Sequence, residues 1–235
     1  MANPERISIQ LLGRTDLFHG LALSVLKSVA ARARVQRLPK DRRIFSQGDD
    51  RVHAHMVIEG GVRIAQSGSD GTQVVIRFIA PGEMFGTVSL FTDRRYPADA
   101  ITVIETLEAS WSEADLLDLM TRHPPIAVNL VRIIGKRLQE AQNRVRELAT
   151  QRAERRIAHA VLRLARQSGQ RTKDGTVIMF PLRRRDVADI AGTTLHTASR
   201  ILTAWEKAGL LVSQNRRLTL RDRSALGRIA EDPLD

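Results

Sequence analysis

The sequence predicts an α+β protein in which an N-terminal antiparallel β-roll, or jelly roll, precedes a long helix and a small C-terminal domain. Residues 33–112 contain short apolar stretches separated by glycine-rich turns, which is typical of antiparallel strands. Residues 125–149 carry apolar side chains every three or four positions, as one helix would. Short helical and strand-like segments then alternate up to the C-terminus. We therefore predict domains at 1–124, 125–150 and 151–235.

Individual elements of the roll follow from apolar runs and turn residues. Turns are predicted at Gly60-Gly61, at 67–71 and at Pro81-Gly82, since glycine and proline end regular structure. A helix over about 21–32 precedes the roll. The strand candidates are 54–59, 62–66, 74–79 and 100–103.

The charge distribution indicates a polyanionic partner. The chain has 235 residues, with 37 Lys+Arg against 26 Asp+Glu, for a net charge of +11. Residues 151–235 hold 17 basic and 9 acidic residues, so most of the excess lies in the C-terminal domain. A small basic domain favours nucleic acid as the partner, and a merely soluble basic surface is the alternative.

Cysteine is absent from the sequence, which excludes disulfides, thiol nucleophiles and cysteine-ligated zinc or iron–sulfur centres. The N-terminus shows no signal-peptide core, and no apolar run approaches the length of a membrane span. We expect a cytoplasmic protein.

The long helix is predicted to form a dimer. Ser112 is a good N-cap for a short helix that ends before Pro124, and Pro125 can begin the next one. A helix of about 25 residues extends about 37 Å, which is longer than a small barrel can cover. Packing of the seam on the chain's own barrel is the alternative. The residues predicted at the dimer interface are Leu130, Ile134, Leu138, Ala141, Val145 and Leu148.

The strongest functional signal is a helix-turn-helix pattern at 186–211. Gly192 permits the positive φ that a sharp turn needs, and Thr194 can cap the second helix. A buried stripe is expected from Ala198, Ile201, Leu202 and Trp205. The opposite face would then present its side chains to the major groove, with the basic hairpin that follows as a wing. An ordinary helical hairpin is the alternative.

Three segments carry a resemblance to a known family. They are IFSQGDDRVHAHMVIEGGVRI at 44–64, PGEMFGTVSLF at 81–91 and GTTLHTASRILTAWEKAGLL at 192–211. Together they resemble the CRP/FNR family of bacterial transcription regulators. The resemblance implies a cyclic-nucleotide-binding-type roll, a homodimer along the long helix and a winged helix-turn-helix on palindromic DNA. It also implies an activator that contacts RNA polymerase and is not an enzyme.

The departures from that family concern the effector. Members that bind cyclic nucleotides have a Glu after the glycine that matches Gly86, whereas this chain has Thr87. The arginine that binds the cyclic phosphate is matched by Pro97, although Arg94 and Arg95 lie nearby. Cyclic AMP would thus lose its charge-assisted bonds, and we do not expect it as the ligand. The residues expected at the effector pocket are Phe85, Gly86, Thr87 and Ser89.

The recognition helix resembles the oxygen-sensing branch through its Ser-Arg pair, and that branch implies a TTG-N8-CAA-type palindrome. Arg200 can contact guanine through two bonds, and His196 would set the adjacent base. The base-reading residues are predicted to be His196, Thr197, Ser199 and Arg200. The phosphate contacts are predicted to be Arg184, Thr194, Arg216 and Arg217.

The LHTASR string is similar to nitric-oxide-responsive regulators of nitrogen-oxide metabolism, which are thought to use haem and to activate denitrification genes. Haem iron needs an axial ligand, for which His19, His53 and His55 are the candidates. A regulator of another small-molecule signal is the alternative.

An enzymatic alternative rests on the spacing of His53, His55 and Glu59. This spacing resembles the first metal motif of cupins, since side chains two apart on a strand face the same side. The second cupin motif, with a further histidine, does not follow Pro81. We therefore predict that the protein is not an enzyme.

Overall fold

The computed structural model describes residues 7–69 and 73–231, which form two compact units. The first unit comprises 7–69 and 79–141, and the second comprises 73–78 and 142–231. The turn predicted at 67–71 lies partly outside the described residues. No helix within the described ranges is long and apolar enough to cross a membrane.

The β-roll predicted for the N-terminal part is confirmed. It contains two sheets of four strands, in the orders β1-β8-β3-β6 and β2-β7-β4-β5. Helices α1 (Ile9–Arg14) and α2 (Leu23–Ala31) precede the strands. The strands are β1 (Arg34–Leu38), β2 (Arg43–Phe45), β3 (His53–Glu59), β4 (Val62–Ser67), β5 (Gln73–Ile79), β6 (Met84–Phe85), β7 (Asp99–Thr102) and β8 (Thr106–Ser112).

The core of the roll closes against the helices around it. Trp111 lies 5.5 Å from Phe18 between ring centroids, and its Nε1 donates a hydrogen bond of 2.9 Å to the Val29 carbonyl. A buried indole N–H needs such a partner, so this bond also fixes α2 on the roll. Helix α3 (Glu113–Arg122) begins after the predicted cap, where Ser112 Oγ accepts from the Asp115 N–H at 3.1 Å.

Helix α4 (Pro124–Thr150) matches the predicted long helix, but its seam differs from the prediction by one position. Leu130 is buried in the roll core together with Ile126 and Ile133, so Leu130 is not available to a partner helix. Val131, which was not predicted, is 68% exposed. When Val131 replaces Leu130, the apolar residues of the exposed face follow an uninterrupted heptad spacing of three and four residues. This seam, as revised by the structure, consists of Val131, Ile134, Leu138, Ala141, Val145 and Leu148.

The C-terminal unit is a helix-turn-helix combined with a four-stranded antiparallel sheet of order β11-β12-β10-β9. Strand β9 and helix α8 were not predicted, because β9 is exposed along its length and α8 follows a charged segment. The elements are α5 (Ala153–Ser168), β9 (Gly169–Thr172), β10 (Gly175–Ile178), α6 (Arg184–Ala191), α7 (Leu195–Lys207), β11 (Leu211–Gln214), β12 (Arg217–Leu220) and α8 (Arg223–Glu231).

Candidate DNA-binding face and effector pocket

The turn between α6 and α7 has the geometry that the sequence predicts. Gly192 adopts φ +62°, a left-handed conformation that favours glycine, and its N–H donates to the Asp189 carbonyl at 3.2 Å. Thr194 caps α7, since its Oγ1 accepts from the Thr197 N–H at 3.1 Å. The start of the recognition helix is therefore fixed by local hydrogen bonds.

Helix α7 separates a buried face from an exposed face. Ala198, Ile201, Leu202 and Trp205 are buried, as predicted. His196 and Arg200 are exposed, and Thr197 and Ser199 are half-buried beside them. The structure thus brings the four predicted base-reading residues onto the first two turns of one helix, where their side chains can reach base edges.

Arg184 is held within the fold in a way that the sequence did not predict. Its Nη1 donates to the Ser199 carbonyl at 2.7 Å and to Thr203 Oγ1 at 2.8 Å, and its Nη2 pairs with Glu206 at 2.9 Å. These bonds join α6 to the body of α7. Arg184 therefore orients the recognition helix, and its predicted phosphate contact would require exchange of these bonds.

The wing is a tight hairpin between β11 and β12. Asn215 and Arg216 both have positive φ, at 52° and 60°, which is the conformation of a two-residue type I′ turn. The side chains of Arg216 and Arg217 are exposed on this hairpin. Both predicted phosphate contacts of the wing thus lie on the surface.

The segment of the roll that the sequence predicts to contact the effector contains two buried hydroxyls. Thr87 and Ser89 are nearly inaccessible, and their hydroxyl oxygens have no hydrogen-bond partner among the described residues. Gly86 has φ +73°, and a Cβ at this position would lie 2.8 Å from the His53 carbonyl oxygen. Unpaired buried hydroxyls are costly, so this segment has polar groups that a ligand can satisfy.

The cations near the predicted phosphate position are bonded elsewhere. Pro97 carries no charge, Arg94 pairs with Glu113 at 2.7 Å, and Arg95 donates to the Gly48 carbonyl at 3.1 Å. A phosphate at this position would have to displace one of these bonds to pair with Arg94 or Arg95.

His55 lies in a buried polar network that the sequence did not reveal. Its Nδ1 is 2.9 Å from Glu108 Oε2, and its Nε2 is 3.1 Å from the Tyr96 hydroxyl. Glu108 also accepts from Gln36 Nε2 at 2.6 Å. Burial, as the largest cause, raises the pKa of Tyr96 to about 12. Because these residues come from separate strands and a loop, no local pattern indicates that they meet.

The three histidines proposed as metal or haem ligands differ in their surroundings. His55 has both ring nitrogens engaged, and His19 is exposed. His53 lies 6.1 Å from His55 between ring centroids, but Glu59 is at the far end of β3 and pairs with Arg37. Within the described part of the chain, no three His, Asp or Glu side chains are placed to hold a metal ion.

His53 borders a cavity of about 460 Å³ at the end of the roll. Asp49 and Asp50 lie at this cavity, and two carboxylates are poor neighbours for the propionates of haem. The lining residues are Ile44, Phe45, Asp49, Asp50, Arg51, His53, His55 and Tyr96.

Comparison with known proteins supports this architecture. Residues 35–123 match the model of the cyclic nucleotide-binding domain, and residues 155–229 match the Crp-like helix-turn-helix domain. The chain is 31% identical to the cyclic AMP receptor protein of Thermus thermophilus over 92% of this chain and 97% of that relative. It is 34% identical to the nitrogen fixation regulation protein FixK of Azorhizobium caulinodans over 77% and 74% of the two chains.

The solved structure of FixK2 from Bradyrhizobium japonicum is similar to this chain, with a TM-score of 0.74 and 26% identity. The match covers 84% of this chain and 96% of FixK2. The roll, the long helix and the helix-turn-helix thus occur together over nearly the whole length of established regulators. The chain belongs to the CRP/FNR family of DNA-binding transcription regulators.

Proposed function

We propose that the protein binds TTG-N8-CAA-type inverted repeats as a homodimer, and that a small effector in the roll controls this binding. The observation that carries the proposal is the exposed face of α7, where His196 and Arg200 lie in solvent beside Ser199. An exposed arginine next to short polar side chains on a capped helix suits the reading of base edges in the major groove.

The exposed seam of α4 supports the homodimer. Val131, Leu138 and Val145 are each more than half exposed, although they are aliphatic and evenly spaced. Burial of such a side chain contributes about 1.5–3 kcal/mol relative to full exposure. A two-fold axis along this seam would pair two recognition helices, and paired recognition helices bind half-sites about 34 Å apart.

The unpaired hydroxyls of Thr87 and Ser89 support an effector in the roll. A buried hydroxyl without a partner costs about 1–3 kcal/mol, and a ligand with matching polar groups would remove that cost. Such a ligand changes DNA affinity only if it binds two conformations of the dimer unequally.

We further propose that this effector is not cyclic AMP, although several relatives, among them the cyclic AMP receptor protein of Thermus thermophilus, have that ligand in their names. The carboxylate and the guanidinium that would bind the ribose and phosphate are replaced by Thr87 and Pro97. Titration calorimetry with micromolar cyclic AMP should show no saturable heat. Saturable binding that strengthens DNA binding would contradict this part of the proposal.

Nitric oxide sensing through haem, with control of denitrification genes, is the narrower function that the LHTASR string predicts. The bonds of both His55 ring nitrogens argue against His55 as an axial haem ligand, and we propose an effector that binds without haem. Protein purified from haem-replete cells should show no Soret band. A Soret band that shifts when nitric oxide is added would instead support the narrower function.

Sedimentation of the protein with a TTG-N8-CAA duplex tests the main proposal. Two chains per duplex are expected, because each half-site takes one recognition helix. One chain per duplex would contradict the homodimer. In transcription with purified RNA polymerase, the bound dimer should activate a promoter that carries the repeat, and no change in transcript would contradict the role as an activator.

A further inference from the structure

The last two turns of α4 contact the helix-turn-helix through a charged cluster. Glu147 is buried, and its two carboxylate oxygens each accept from Arg163 Nη1 of α5 at 2.9 Å. Arg144, one turn earlier on α4, donates through Nη2 to the Asp189 carbonyl of α6 at 3.2 Å. All four residues lie in the second unit, so α4 is bonded to two helices of the DNA-binding domain.

Glu147 supplies the negative charge of this cluster. Burial lowers the pKa of the Arg144 guanidinium, and Arg163 lowers it further, while Glu147 opposes both effects. His159, also on α5, has its pKa lowered by burial, and Glu147 again opposes the shift. Without the Glu147 carboxylate, Arg144 and Arg163 would repel each other in a poorly hydrated place.

Close packing and further hydrogen bonds connect the same helix end to the turn. A Cβ on Gly192 would lie 2.4 Å from Leu148 Cδ2, so α4 approaches the turn as closely as a glycine permits. Arg156 of α5 donates to the Ala191 carbonyl at 2.9 Å and to the Gly192 carbonyl at 3.1 Å. It also donates to Gln151, just after α4, at 2.6 Å.

We propose that Arg144, Glu147 and Arg163 are positioning residues that fix the orientation of the helix-turn-helix on the end of α4. In the dimer, they would thereby set the half-site spacing that the protein accepts; this inference rests on the proposed homodimer on an inverted repeat. One added base pair moves two half-sites apart by about 3.4 Å and rotates them by about 35°. A small loosening of the contact between the end of α4 and the helix-turn-helix would therefore allow the dimer to bind repeats whose spacer is one base pair shorter or longer.

Glu147→Gln tests the proposal, because it removes the charge and keeps the shape. Fluorescence anisotropy is measured on inverted repeats whose spacer is shortened or lengthened by one and two base pairs, and on a duplex with one half-site. The wild-type protein should prefer one spacing over its neighbours by about tenfold or more. In the variant this preference should fall below about threefold, with half-site affinity unchanged within about twofold.

Glu113→Gln is the matched control, since it makes the same change in net charge. It breaks the exposed pair with Arg94 in the first unit and should leave the spacing preference intact. Arg163→Gln is a second test variant, because Arg163 is the less buried partner of the Arg163–Glu147 pair. It should reduce the preference for one half-site spacing to the same extent. The double variant should add little to either single variant, because both remove one interaction.

Unchanged spacing preference in both Glu147→Gln and Arg163→Gln would overturn the proposal. A parallel loss of half-site affinity would overturn it as well, because the cluster would then stabilise the domain without orienting it. If Glu147→Gln does not fold, Arg163→Gln alone decides between these outcomes. Absence of any spacing preference in the wild-type protein would contradict the proposed dimeric function, and the positioning role would be rejected with it.

Discussion

The recognition helix and the segment of the roll around Thr87 and Ser89 differ in whether their polar groups have hydrogen-bond partners. On α7, Thr194 caps the helix and Arg184 braces it, so Arg200 is exposed on a scaffold whose local hydrogen bonds are made. In the roll, Thr87 and Ser89 hold buried hydroxyls without partners. The exposed face of α7 therefore has its supporting hydrogen bonds in place without DNA, whereas the roll keeps two hydroxyls that the proposed effector would satisfy.

The largest expected effect comes from disrupting the α4 seam, because the proposed dimer holds the two recognition helices together. Leu138→Glu places a charge in the seam of α4, where it would be buried against a partner helix at high cost. Sedimentation should show monomers, and affinity for the inverted repeat should fall by about a hundredfold or more. Gln139→Glu, one position off the seam, serves as the control. A wild-type dimer mass for Leu138→Glu would refute the assignment of the seam.

The next effect tests whether the exposed face of α7 reads sequence. Arg200→Ala should remove about 1–3 kcal/mol of discrimination at the guanine of the half-site. Binding to a panel with each base at that position measures it. Arg171→Ala removes an exposed arginine from β9 of the same domain and should leave base preference intact. If Arg200→Ala keeps the full preference for guanine, another residue is the reader.

A smaller effect, on the free energy of unfolding, tests whether the Thr87 hydroxyl lacks a hydrogen-bond partner when no ligand is bound. Thr87→Val should raise the free energy of unfolding by about 1 kcal/mol, because it replaces an unpaired buried hydroxyl with a methyl group. Thr106→Val is the matched control, since the Thr106 hydroxyl donates to the Gly61 carbonyl at 3.1 Å and its loss should destabilise the protein. Denaturant titration measures both variants. Equal destabilisation of the two would mean that Thr87 is satisfied without a ligand.

The smallest expected effect distinguishes the proposed role of the wing, which is to contact phosphate, from the base reading of the recognition helix. Arg216→Ala should weaken binding to all sequences alike, because a phosphate contact carries no base information. The slope of log affinity against log salt should become shallower by about one. Titrations at several salt concentrations on specific and scrambled duplexes measure this slope. A selective loss on the specific duplex would place Arg216 among the base readers.

The DNA-binding domain was the more predictable half of the molecule, because its signals are local. Helix α6 ends at the turn that Gly192 indicated, and the buried stripe on α7 follows directly from helical periodicity. Gly192 and Thr194 mark a turn and a cap that depend on neighbours only a few residues away.

The roll was predictable in class but not in its interior. His55 meets Tyr96 and Glu108 across 41 and 53 residues of sequence, and strand patterns do not specify such cross-strand partners. The predicted seam of α4 was wrong at its first residue for a related reason. Leu130 and Val131 are both apolar neighbours on one helix, and only the packing of the roll decides that Leu130 is buried and Val131 is exposed.

The affinity of the wild-type protein for an intact TTG-N8-CAA duplex, compared with duplexes in which one or both half-sites are scrambled, tests the central claim most directly. At one fixed salt concentration, the intact repeat should bind about a thousandfold or more tighter than the fully scrambled duplex. Scrambling one half-site should remove most of that advantage, since a dimer needs both sites. Equal affinity for all three duplexes would contradict sequence-specific recognition by a paired helix-turn-helix.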